Sequence, residues 1–379
     1  MNSSWKMALG AAAVAANALA FIAGASAAEL ETIAKFSDFR PGNPAISDDG
    51  RLFVTMSALG GSKLNVVEIL KDGSTKPFPD EAWSGKPGSR DVVGINSTIG
   101  IQATSDGTLW VLDIGNRSAA PAQPPKLVGW DLDSGQLKKV FFIPDPVLRD
   151  NSFLQDFAVD VKRGVAVLAD MTQPFASDEG PAPSNPAFVI VDLKTGMTRR
   201  VLENDPSFSP SGEPIVIDGT TVLHKPKNGP SFPPTYPLNP VAIDPDFNWV
   251  YFGAMGNKVV YRISAEALAD ESLDDVALNK RIERYADKPE TDGFDVDNKG
   301  QVYVTDVENF AVGVTSPAGY QVLAQDKEKL TWPDGVSVSK DGWLYIVSNE
   351  LNTLAALNNG EDVSSPPYYV HRLKLDERK

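Results

Sequence analysis

The chain has no cysteine and only two histidines, His224 and His371, so thiol chemistry and Cys-ligated metals are excluded. Catalysis would fall to carboxylates, hydroxyls, amides or metal-bound water. The acidic side chains recur in a pattern. "WPDGVSVSKDGWLYIVSNE" (332–350) sets Asp334 just before an alternating run, and "DGFDVDNKGQVYVTDV" (292–307) does the same with Asp292. Asn239 leads "NPVAIDPDFNWVYFGA" (239–254), and Gln155-Asp156 lead "QDFAVDVKRGVAVLAD" (155–170). "IGIQATSDGTLWVLDI" (99–114) and "GNPAISDDGRLFVTMS" (42–57), with Asn43 near its start, complete six copies of one frame. Asp292 and Asp334 are the candidate catalytic acids or bases. Asp156, Asn239, Asp292 and Asp334 together offer oxygens to a hard cation such as calcium, which takes ~6 to 8 of them. For any single copy the alternative is turn chemistry, the side chain bonding its own backbone two residues on.

The elements that must position these residues follow from the copies. Each has a short alternating run, a turn at Gly50, Gly107, Gly164, Asn248, Gly300 or Gly342, and a second run with a large apolar residue at its middle. That is the signature of a hairpin. Outer hairpins follow, as in "KLVGWDLDSGQLKKVFFIP" (126–144) and "FVIVDLKTGMTRRVL" (188–202). Six such units predict an all-β, six-bladed β-propeller. The last copy lacks an outer strand beyond "YYVHRLKL" (368–375), and "ETIAKF" (31–36) lies before the first copy with no partner of its own. The N-terminal segment is therefore expected to complete the last blade and close the ring, hiding the sheet edges. Trp110, Tyr303 and Tyr345 lie mid-strand, as residues packed between blades should.

In such a ring the innermost strands line a channel and their leading residues gather at one mouth. A second set of polar residues closes the inner hairpins: Asp113 and Asn116, Asp170, Asp306 and Glu308, Asn349 and Glu350. Asn43, Asp113, Asn116, Asp156, Asn239, Asp306, Glu308 and Asn349 are candidate ligand-binding residues. Ties between neighbouring blades are the alternative role for the second set. Two interruptions stand out. Pro-rich stretches at 173–186 and 204–240 are too long for ordinary connections and read as a functional loop or as decoration. Residues 264–289, with Ser264 as a cap, have the spacing of a helical insertion.

The chain of 379 residues carries 35 Lys and Arg against 50 Asp and Glu, a net charge of −15, with no basic run bearing aromatics. Nucleic acid is a poor partner for such a chain. Lys6, the apolar stretch 7–23 and Ala25-Ser26-Ala27 predict a signal peptide over residues 1–28, cleaved after Ala27 or Ala28. A retained anchor is the alternative, since ~18 apolar residues span a bilayer. The expected product is one exported domain, 29–379, periplasmic or extracellular, with no membrane span.

"RPGNPAISDDGRLFV" (40–54), "LWVLDIGN" (109–116), "PPKLVGWDL" (124–132), "SFLQDFAVD" (152–160), "VYVTDVEN" (302–309) and "WPDG" (332–335) together resemble the major royal jelly protein and Yellow family in its bacterial branch. The resemblance implies a six-bladed propeller, a dopachrome tautomerase-related label and, more distantly, a likeness to gluconolactonases with a metal in the channel. Relatives of this type bind biogenic amines or convert dopachrome. The chain departs from the family where Asn239-Pro240 replaces Asp-Gly, where Gln155 replaces Asn, and where the usual His after Val307-Glu308 is missing. Two functions from different classes follow. One is an exported binder of a small molecule, an aromatic amine or catechol, at the channel mouth. The other is an enzyme, a metal-dependent lactone hydrolase or a dopachrome-type tautomerase working through the channel carboxylates. A protein-interaction platform is a third role, without a partner motif.

Overall fold

A computed structural model of the chain describes residues 29–57, 62, 64–84, 94–117, 120, 122–172 and 179–375. The expected signal peptide lies outside the described residues. Six four-stranded antiparallel sheets form a ring, a six-bladed β-propeller. Their innermost strands are Pro41–Ile46, Thr98–Thr104, Leu154–Asp160, Leu238–Ile243, Phe294–Val296 and Pro333–Val338, each packed against its two neighbours around the axis. Blades are numbered 1 to 6 in that order. Glu31–Phe36 pairs with Tyr368–Lys374 as the outermost strand of blade 6, so the N-terminal segment closes the ring.

The aromatic and β-branched middles of the strands meet in layers between blades. Trp110 packs with Phe157 and Leu168 between blades 2 and 3. Tyr303 packs with Ile346 between blades 5 and 6, and Tyr345 with Val54 between blades 6 and 1. Alternate side chains of a strand face opposite sides, so each buried sheet contributes to two such layers.

Two local expectations are corrected. At the fourth inner turn the left-handed residue is Phe247 (φ 59°), with Asn248 an added residue after it. Asp244 holds this longer turn, its carboxylate accepting from the backbone N–H of Asp246 and Asn248. Residues 264–289 are also not wholly helical. Ala265–Ala269 is capped by the Ser264 hydroxyl and Asp275–Asn279 by Asp274, but Glu283–Asp287 is the outermost strand of blade 4. The segment thus spans the crossover between two strands of one sheet.

The 204–240 segment has a definite place. After the single turn Pro206–Phe208 and a small hairpin, Val216–Ile217 with Thr220–Thr221, it lies over the mouth where the inner strands begin. Ile215, Ile217, Val222 and Tyr236 pack there with Met171, Met255, Val307 and Trp332, contributed by four different blades.

Candidate functional site

The inner strands of five blades share a register irregularity at their start, for example between Leu238 and Val241 and between Pro333 and Val336. A bulge re-aims the side chains at its position. At Asn239 and Asp334 it takes the leading polar residues out of the alternation of the sheet, whereas Asp292 precedes its strand, which has no such shift. The glycines after Asp292 and Asp334 have a separate reason. A Cβ on Gly293 would stand 2.4 Å from the Asp334 carbonyl oxygen, and one on Gly335 would stand 2.1 Å from Asn43 Oδ1. Neither glycine has a positive φ. The Asp-Gly pairs are therefore sites of close approach between strands at the axis.

Asp292 and Asp334 meet beneath the cap, 6% and 8% exposed. Asp292 accepts from Asn239 Nδ2 at 2.9 Å and from the Trp332 indole Nε1 at 2.7 Å. Burial and then the charge of Asp334 push the Asp292 carboxyl well above the usual range, against the pull of these two donors. Burial raises Asp334 to about 6, opposed by the Asn349 amide that donates to it. Asn349 Nδ2 also donates to the Pro41 carbonyl, at 3.0 Å. Its other amide atom, Oδ1, is buried and accepts no hydrogen bond. Trp332 holds a left-handed backbone (φ 49°), which costs a non-glycine residue on the order of 1 to 3 kcal/mol and persists where the surroundings enforce it.

Below this pair the channel widens into a cavity of about 250 Å³, lined by Asn43, Gln102, Asp156, Asp295, Ser337 and Lys340 among others. Asp156 accepts from the Phe157 and Val241 N–H groups at 2.8 and 3.0 Å, and Asp295 from those of Val296 and Val338, both at 2.8 Å. Burial lifts Asp156 to about 7 and Asp295 to about 6. The bonds from Val241 and Val338 join neighbouring inner strands. Gln102 does the same with Val159 N–H at 2.8 Å. Among the described residues Asp156, Asp292, Asp295 and Asp334 make no ion pair.

Other residues proposed from sequence lie apart from the pair. Asp113 is wholly buried, bound to Lys126 Nζ at 2.6 Å and to the N–H groups of Asn96, Ser97 and Gly115. It holds the loop that leads into blade 2. Asn116 bridges Gln123 in that blade's next loop. Asp306 accepts from Asn309 and the Tyr320 hydroxyl, the latter at 3.0 Å. Glu308 accepts from Val216 N–H at 2.9 Å, a contact with the cap. Asn43 donates to the Ile99 carbonyl at 3.3 Å and lines the cavity. Asp156, Asn239, Asp292, Asp334, Asn43 and Asn349 are thus the proposed residues brought to the axis. Sequence reasoning missed Asp295, Gln102, Trp332 as a donor, and Tyr236. The third residue after each leading position reads Ala45, Gln102, Ala158, Ala242, Asp295 and Ser337, so a polar side chain on an otherwise apolar inward position was the available signal.

Both oxygens of Asp156 and of Asp292 are engaged by N–H donors, and among the described residues no group of three or more His, Asp or Glu is placed to hold a metal ion. The arrangement is not the cage of six to eight oxygens that calcium takes.

The family described as major royal jelly protein matches residues 96–377. No curated protein sequence matches the chain. Among solved structures, a gluconolactonase from Xanthomonas campestris is similar with a TM-score of 0.55 at 15% identity, covering 92% of this chain and 90% of that one. Luciferin-regenerating enzyme gives 0.56 at 12% identity, with 92% and 97% covered. Regucalcin, a calcium-binding protein from Agrobacterium tumefaciens, gives 0.54 at 12%, with 92% and 94% covered. At such identities the likeness is one of fold.

Proposed function

The chain belongs to the major royal jelly protein family, and from that footing we propose that it is an exported propeller that binds a small aromatic amine at the axis, beside Asp292 and Asp334. One observation carries the reading: the axis gathers buried acceptors, and among the described residues no cation pairs with them, since Lys340, which lines the cavity, is paired with Asp48 at 2.6 Å. Asn349 Oδ1 is buried without a donor, next to a carboxylate pair that makes no ion pair among the described residues. An unsatisfied buried acceptor costs ~1 to 3 kcal/mol, and a guest ammonium with several N–H donors would remove that cost. A catechol, with two hydroxyl donors and no charge, is the weaker candidate guest. Calorimetric titration of the mature protein with 2-phenylethylamine and with 2-phenylethanol tests this. The amine is expected to saturate one site, and an Asp292→Asn, Asp334→Asn double variant to lose about tenfold or more in affinity, some 1.4 kcal/mol. Equal affinity for amine and alcohol, or binding untouched in the double variant, would sink the reading.

A second reading is favoured by the pair itself. Two neighbouring buried carboxylates that resist joint ionisation can hold one proton between them, the condition for one to act as acid while the other acts as base. Tautomerisation of a dopachrome-type substrate needs only such a transfer between two of its atoms, so Asp292 and Asp334 would be the catalytic residues. Lactone opening by metal-bound water gains no support from the donor set. Turnover of dopachrome that is the same in the double variant and the parent would exclude the pair. Export is read from residues 1–28, and N-terminal sequencing of the secreted protein should begin at Ala28 or Glu29.

A further inference from the structure

The cap over the acid pair is unlike the rest of the ring. Residues 204–211 are anchored: Phe208 is fully buried against Phe188 and Phe252, and Ser211 N–H bonds the Gly256 carbonyl at 2.6 Å. Beyond Gly212, whose φ is 87° and whose surroundings are open, the segment leaves that core. Its hairpin covers the mouth through three aliphatic side chains, Ile215, Ile217 and Val222. Polar attachments at the tip are few. Val216 N–H bonds Glu308, and Asp218 pairs with Lys327 at 2.6 Å with both side chains more than half exposed. On the other side Leu223 exchanges backbone bonds with Leu357 and Asn359, the His224 ring bonds the Ala356 carbonyl at 3.0 Å, and the Ser231 hydroxyl donates to Asn359 at 2.5 Å, so this side stays tied to the 355–359 segment. The segment then returns through Tyr236, packed in the same cluster as Trp332, to Asn239, whose amide holds Asp292.

The hairpin has only two short strands and a single apolar cluster beneath it, and its polar attachments lie at the surface; such a region opens at a free-energy cost below that of global unfolding. The blades are bonded into sheets and packed on both faces, so they set no such weak point. We propose that residues 212–235 are a lid that opens about Gly212 to admit ligand to Asp292 and Asp334, with the Glu308 and Lys327 contacts as its latch. The proposal deepens the binding reading above and rests on it for the identity of the site. The lid's movement is separable from what binds.

Carbodiimide modification of aspartates, mapped by mass spectrometry, reads access without any ligand. The chain has no cysteine, so an Asp218→Cys, Lys327→Cys pair, at exposed positions whose side chains meet, can be bridged by a bis-methanethiosulfonate reagent into a reducible lock without competing thiols. Bridging is expected to suppress modification of Asp292 and Asp334 several-fold, and reduction to restore it. A Lys327→Ala, Asp218→Ala variant should raise it several-fold over the parent. Asp156 and Asp295, which line the open cavity, serve as controls and should not change. Hydrogen exchange on the unmodified protein gives an independent measure that requires no variant: amides 215–223 should exchange at least tenfold faster than those of the inner strands. Modification of the pair at one rate in locked, latch-free and parent proteins, or lid amides as protected as the inner strands, would overturn the lid. Gated modification together with no amine binding would leave the lid standing and remove the binding reading.

Discussion

The Asp292 carboxylate is buried between groups that exert opposite effects on it. Trp332 and Asn239 donate to it and favour ionisation, while burial and Asp334 disfavour it. Substituting either side should move the titration in a known direction. Asp334→Asn removes the like charge, so Asp292 should titrate at a lower pH than in the parent. Trp332→Phe removes a donor to the ionised form, so Asp292 should titrate higher, with a loss of stability of about 1.5 to 3 kcal/mol for a bond to a charged group. Carboxyl carbon resonances followed through a pH titration would show both. An Asp292 titration unmoved by Asp334→Asn would mean that the two do not share a field. Asp292, Asp334 and Asn239 were legible in the sequence because the repeat gathers equivalent positions on one axis. Trp332 was not, because its role depends on a left-handed backbone that aims the indole back at another blade. Asp113 looked like a site residue by position and is a loop anchor, because Lys126 and three N–H groups already satisfy its carboxylate.

At the scale of elements, the strand that closes the ring is held by more than its ladder. The ring of His371 is fully buried in blade 6 and reaches the Thr32 hydroxyl of the N-terminal strand at 3.1 Å and the Lys329 carbonyl at 3.0 Å. Burial lowers its pKa to about 4. The unfolded chain protonates this side chain below about 6.5 and the folded one only near 4, so its contribution is complete above the unfolded value and is lost as pH falls from about 6.5 to 4. A His371→Gln variant should lack this part of the acid dependence, visible as a changed slope of melting temperature between pH 6.5 and 4. Removing residues 29–37 should abolish soluble expression by exposing the edge of Tyr368–Lys374; a truncated protein that melts like the parent would contradict ring closure as a source of stability. The strands and their closure could be read from alternation, which depends on local pattern. The destination of 204–240 could not, since a Pro-rich segment without periodicity is placed by the surfaces it meets. The strand Glu283–Asp287 was likewise hidden, being a short exposed edge joined to a helical crossover.

For the molecule as a whole, four carboxylates stand along one axis with no ion-pair partner among the described residues, in a chain whose net charge is already −15. Burial raises the pKa values of Asp156, Asp295 and Asp334 to about 7, 6 and 6, and burial together with the charge of Asp334 raises that of Asp292 well above its ordinary value. The folded state therefore holds protons that the unfolded chain releases near pH 4. The stability these groups contribute is fully present below that point and is lost as pH rises toward 7. His371 and His224, both lowered by burial, act the other way over part of the same window, while Glu290, Asp306 and Glu350, raised by burial, add to the four. The ligand-free protein should accordingly melt at a higher temperature at pH 5 than at pH 7.5, by about 3 °C if the net difference reaches ~2 kcal/mol. Surface repulsion among the excess acids has the same sign. Asp295→Asn, nearly unchanged in volume, separates the two, since it should flatten the dependence while leaving the surface alone. A guest ammonium should reverse the trend, because it binds the ionised axis best: the rise in melting temperature on adding 2-phenylethylamine should be larger at pH 7.5 than at pH 5. A shift that is equal at both values would place the amine away from these carboxylates.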